Sequence, residues 1–101
     1  GLDVDLRLFG NGLGFTIPPE AEIVGALRNG YEAIVGRELP LSGALSVCDA
    51  NVIVREAGIP AVSQGPGTTT AHADLEWVEI DNIVRTTKVF LATIVDYLGV
   101  A

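Results

Sequence analysis

Ala44-Leu45-Ser46-Val47-Cys48-Asp49-Ala50-Asn51-Val52-Ile53-Val54-Arg55-Glu56-Ala57-Gly58-Ile59-Pro60-Ala61-Val62 is the stretch on which the fold reading turns. Ala44 to Val47 is short and apolar, as a buried strand is. Asp49 stands where it can cap a short helix running to about Ala57, and Gly58 offers a left-handed stop. Ile59-Pro60-Ala61-Val62 then reads as a second strand. Strand, helix, strand is a crossover unit. It brings Cys48-Asp49 and the loop after Val62 to the carboxyl ends of the strands, where open α/β sheets bind ligands.

Upstream, Leu2, Val4, Leu6 and Leu8 alternate with Asp3, Asp5 and Arg7, a period of two that predicts a strand with one apolar face. Asp3 and Asp5 share the other face and read as solvated rather than metal-binding. Gly10-Asn11-Gly12-Leu13-Gly14 is a turn; Pro18-Pro19 follows it where a dinucleotide fingerprint would open a helix. Pro19, Glu20 and Glu22 form a first helical turn. Ile23, Val24, Leu27, Tyr31, Ile34 and Val35 then recur at helical spacing to a stop at Gly36. Downstream, Trp77-Val78 reads as a brief extended segment. Asp81 caps a last helix whose apolar face is Ile83, Val84, Thr87, Leu91, Ile94, Val95 and Leu98, ending at Gly99. The expected fold is α/β: a partial three-layer α/β/α sandwich with a small, mainly parallel or mixed sheet and about three helices.

Composition limits the partners. Thirteen acidic residues against six basic ones give a net charge of −7, and the basic residues are scattered singly, which argues against nucleic acid and anionic membranes. No apolar run reaches the roughly 18–20 residues that cross a bilayer. The lone Cys48 excludes an internal disulfide and agrees with a reducing cytoplasm. At 101 residues the chain suffices for one small domain with a thin core, and at 49% hydrophobic some of its apolar surface has no obvious partner within the chain.

The chemistry gathers in Gly65-Pro66-Gly67-Thr68-Thr69-Thr70-Ala71-His72-Ala73-Asp74-Leu75-Glu76, where a rigid loop leads to the only imidazole, with carboxylates two and four positions on. That suits a metal ligand; a surface loop with a hydrogen-bonded histidine suits it too. A Cys48–His72 nucleophilic pair is the rival catalytic idea, weakened because nothing adjacent to Cys48 supplies a cation to activate the thiol.

Four blocks in order, Cys48-Asp49-Ala50-Asn51, Gly58-Ile59-Pro60, Gly65-Pro66-Gly67, and Ala71-His72 with Glu76, resemble the zinc-dependent aminoacylase and carboxypeptidase superfamily. That group includes acetylornithine deacetylase, succinyl-diaminopimelate desuccinylase and glutamate carboxypeptidase. The resemblance implies a hydrolase of N-acyl amino acids or peptides that uses zinc, or another divalent metal such as cobalt. It makes His72 a metal ligand and Glu76 a carboxylate that orients the ligand imidazole. Cys48, Asp49, Asn51, Gly65, Pro66 and Gly67 then line the substrate. Cys48 departs from the family's Thr or Ser, and Asn51 stands where several deacylases carry an arginine for a substrate carboxylate. The short loop between Gly67 and Ala71 leans toward peptidase-like members.

The family's other ligands, a His-Asp pair, a bridging Asp and a Glu-Glu pair holding the general base, have no match here. The resemblance therefore implies the C-terminal portion of a cytoplasmic enzyme's catalytic domain, inactive alone, with residues 1–17 from the linker or lid side and 18–101 from the catalytic domain. A chain starting at Gly1 agrees with a trimmed boundary. Such a portion would pair with a second copy or with the missing N-terminal part. The alternative is a non-catalytic interaction or stability module that kept the fold.

Overall fold

The computed structural model describes residues 1–7, 12–67 and 69–100. Three helices follow one another: α1 (Glu22–Val35), α2 (Asp49–Ala57) and α3 (Ile80–Leu98). Among the described residues there is no β-strand.

Local chemistry explains where each helix begins and ends. The turn before α1 closes with the Ala21 amide on the Pro18 carbonyl at 3.0 Å, and Glu22 places a carboxylate at the positive end of the helix. Gly36 takes the left-handed conformation expected of it, at φ 75°, and donates its amide to Glu32 O. Gly58 ends α2 in the same way, at φ 66°. α1 starts at Glu22, later than the first turn expected from Pro19, whereas the N-caps of α2 and α3 fall just before the residues expected. Cys48 rather than Asp49 precedes α2, and Glu79 rather than Asp81 precedes α3.

The sheet expected from the sequence is absent among the described residues, so the α/β sandwich gives way to a helical fold. Leu2, Val4 and Leu6 do not alternate between inside and outside; Leu2 is 96% exposed and Leu6 87%. Leu45 and Val47 are exposed as well, and Ile59 and Trp77 lie in irregular backbone. The physical reason is that a strand is completed only by a neighbour that accepts and donates its ladder hydrogen bonds. Alternating or apolar residues supply a face but not that neighbour. Leu8, Gly10, Asn11 and Thr68, which belonged to the expected strand, turn and loop, lie outside the described residues.

What holds the molecule together is the pairing of α1 with α3, while α2 packs against neither. Val24, Ala26 and Leu27 of α1 and Val89 of α3 are the buried apolar side chains, with Gly30, Thr86 and Thr93 buried among them. A Cβ on Gly30 would lie 2.7 Å from Thr93 Oγ1, 3.0 Å from Thr93 N and 3.1 Å from Val89 O. The helices therefore touch backbone to backbone, and only glycine permits it. Thr93 is tolerated in the contact because its hydroxyl donates back to Val89 O at 2.8 Å. At the rim, Asn29 Nδ2 donates to Asp96 Oδ2 at 3.1 Å.

This pairing reverses the expected orientation of α3. Ile80, Val84, Thr87, Leu91, Ile94 and Leu98 advance by alternating steps of four and three residues. All lie within about 40° of the direction opposite Val89 on a helix of 3.6 residues per turn. They are exposed, Ile80 by 77% and Leu98 by 73%. The large aliphatic face points to solvent and the small, β-branched face meets α1. In keeping with so much uncovered surface, the radius of gyration is 17.4 Å, against about 13 Å for a compact chain of this length. Among the described residues no helix is long and apolar enough to cross a membrane.

Two glycines of α1 make the crossing testable. Gly30→Ala is expected to lower stability by about 1–3 kcal/mol, because backbone atoms of α3 cannot yield to the new methyl. Gly25→Ala meets open space and should raise stability by up to about 1 kcal/mol. Urea unfolding followed by circular dichroism reads both, and equal effects would place the helix crossing elsewhere.

Candidate functional site

The loop from Gly65 to Trp77 is built by turns and one side-chain clasp. Gly65, Pro66 and Gly67 bend the chain, with Gly67 at φ 25°. Thr70 O accepts from the Ala73 amide at 3.0 Å, a β-turn with Ala71 and His72 at its centre. His72 sits at φ 65°, and among the described residues no other non-glycine residue has a positive φ. The loop then closes on itself: Thr70 Oγ1 donates to Trp77 O at 3.1 Å and accepts from Trp77 N at 3.2 Å. His72, Asp74 and Glu76 are exposed.

The N-terminal end of α2 is held by a different set of bonds. Asn51 Oδ1 accepts from the Cys48 amide at 3.2 Å, and Asn51 Nδ2 donates to Leu13 O at 2.9 Å. One turn on, Arg55 reaches Gly14 O at 3.1 Å. The Asn51 Oδ1 thus closes the start of α2 on its own N-cap, while Asn51 Nδ2 and Arg55 tie the helix to the segment before α1. Cys48 is an exposed free thiol and Asp49 an exposed carboxylate in the first turn. Among the described residues no hydrogen bond or ion pair joins Cys48, Asp49 or Asn51 to Gly65, Pro66, Gly67, His72 or Glu76.

A cleft of about 300 Å³ lies where the strap after Ala61 crosses the helix pair, lined by Ile23, Leu27, Val62, Ser63, Gln64, Phe90 and Thr93. Gln64 Nε2 donates to Gly65 O at 3.3 Å, while its buried Oε1 has no partner among the described residues. Sequence reasoning passed over Thr70, Arg55 and Gln64. Thr70 is one of three consecutive threonines, and nothing in that run marks which hydroxyl will be used.

Residues 3–96 match the model of peptidase family M20/M25/M40. The chain belongs to this family. Membership makes it part of a group of metallopeptidases, hydrolases that generally depend on metal. No curated protein and no solved structure matches the chain.

The donor atoms present do not by themselves fit the metal site that M20/M25/M40 membership implies. Zinc sites take three or four protein ligands. The chain has one histidine and one cysteine, and among the described residues no three His, Cys, Asp or Glu side chains stand close enough to share an ion. His72, the one imidazole of the chain, is exposed on its turn.

The role of Asn51 in holding α2 can be measured directly. A helix of nine residues that packs against neither other helix is marginal. Asn51→Ala should weaken α2 by about 1 kcal/mol, seen as faster hydrogen exchange over residues 52–57. Unchanged exchange there would show that the Cys48 and Leu13 bonds do not hold the helix.

Proposed function

We propose that this chain contributes one metal-ligating imidazole, that of His72, to a metal-dependent amidohydrolase acting on N-acyl amino acids or peptides. The observation that carries the reading is the family match over residues 3–96 combined with a single exposed histidine presented by a closed loop. The remaining ligands and the general base come from polypeptide outside this chain, which has no second histidine to offer. Zinc or cobalt is the metal proposed. In this reading Glu76 orients the His72 ring, and Cys48, Asp49, Asn51, Gly65, Pro66 and Gly67 line the substrate. Asn51 supplies no charge for a substrate carboxylate, which disfavours acidic acyl groups at that point.

The same polypeptide is the proposed cover for the outer face of α3. A helix apolar on two sides belongs inside a protein, and a stripe as long as Ile80 to Leu98 exceeds what monomers ordinarily expose. In dilute solution the chain alone should bind a hydrophobic dye and self-associate. A dye-silent monomer in light scattering would remove this part of the reading.

The chemical test uses the chain alone and the assembled enzyme. The chain alone should hydrolyse no N-acyl amino acid and bind zinc more weakly than micromolar, since one imidazole is a poor site. In the assembled enzyme His72→Ala should remove one metal equivalent and most of the activity, measured by metal analysis and amide hydrolysis. Full metal content in that variant would overturn the assignment.

A further inference from the structure

We infer that Thr70 is the positioning residue for His72, and the inference rests on the His72 reading above. The starting point is a conformational oddity. His72 occupies the third position of the turn opened by the Thr70 carbonyl, at φ 65°. Turns that need a positive φ there normally use glycine or asparagine. A side chain with a Cβ crowds the following carbonyl in the left-handed region, so the conformation persists only where the surroundings impose it.

Thr70 imposes it from both sides of its own residue. Its carbonyl takes the Ala73 amide, which fixes the turn. Its hydroxyl takes the Trp77 amide and gives its proton to the Trp77 carbonyl, which fixes the far end of the loop. One residue thus anchors the backbone on both sides of His72, within eight residues from Thr70 to Trp77. The His72 side chain is exposed, so its direction depends on the backbone that carries it. The threonine hydroxyl is suited to the task because it donates and accepts at once, and its β-branch restricts the rotamer. A ligand imidazole whose direction is set before the metal arrives loses less entropy on binding it. In this reading Thr70 acts on the metal through His72.

The experiment compares Thr70→Val, which keeps the shape and loses the hydroxyl, with Thr70→Ser, which keeps the hydroxyl. In the chain itself, NMR reads the His72 backbone through its amide-to-Hα coupling and the clasp through hydrogen exchange at the Trp77 amide. Thr70→Val should shift the coupling away from its left-handed value and speed Trp77 exchange about fivefold, the effect of losing roughly 1 kcal/mol of hydrogen bonding. Thr70→Ser should preserve both. In the assembled, zinc-loaded enzyme, Thr70→Val should release zinc to a chelator faster, with the serine variant restoring retention. Unchanged coupling and exchange in Thr70→Val would overturn the clasp. A displaced His72 backbone with unchanged zinc retention would overturn the positioning role. Full zinc content in His72→Ala would instead remove the ligand reading and leave the clasp itself standing on the NMR result.

Discussion

The approach of α1 to α3 at Gly30 is the constraint from which the rest of the molecule follows. With backbone atoms of Val89 and Thr93 about 3 Å from the place a Cβ would occupy, the two helices have no room to slide or rotate past each other. Small and β-branched residues, Ala26 and Gly30 on one side and Thr86, Val89 and Thr93 on the other, fill the contact. Thr93 brings a hydroxyl into that contact without leaving it unsatisfied, because the Val89 carbonyl accepts it. Helices that meet through small residues gain dispersion over a short distance in place of large side-chain burial.

Once α3 meets α1 by its small face, its large face has to look outward. The residues from Ile80 to Leu98 at alternating steps of four and three form a straight apolar seam, the kind of surface that accepts another packed element. The seam, the exposed leucines and valines of the N-terminal segment and the expanded radius of gyration describe one condition: the apolar residues outnumber the internal surfaces available to them. The metal donors are short in the same way: among the described residues no three of them stand close enough to share an ion. In the proposed function the single imidazole and the uncovered helix face are two signs of the same missing neighbour.

The His72 loop stands apart from this core and is organised by backbone hydrogen bonds. Its closure by Thr70 on Trp77 and its turn at Ala71-His72 need no packed interior. The loop can therefore keep its shape independently of the helix pair. Asn51 illustrates the opposite case. The residue that sequence comparison placed against substrate has its amide engaged with Cys48 and Leu13, so any contact with substrate competes with the fastening of α2.

The sequence by itself determined the three helices and their stops, since a helix closes its hydrogen bonds within four residues and a glycine at Gly36 or Gly58 ends it by local geometry. It also carried the family, because the blocks from Cys48 to Glu76 are a matter of residue order. Which face of α3 turns inward was decided by tertiary structure: two faces of the helix were apolar enough, and the choice fell to Gly30, a residue on another helix. The missing strands have the same origin. Leu2 to Leu6, Ala44 to Val47 and Ile59 to Val62 carry strand-like patterns, but a ladder is a property of two segments, and no pattern in one segment can supply the hydrogen bonds of the other.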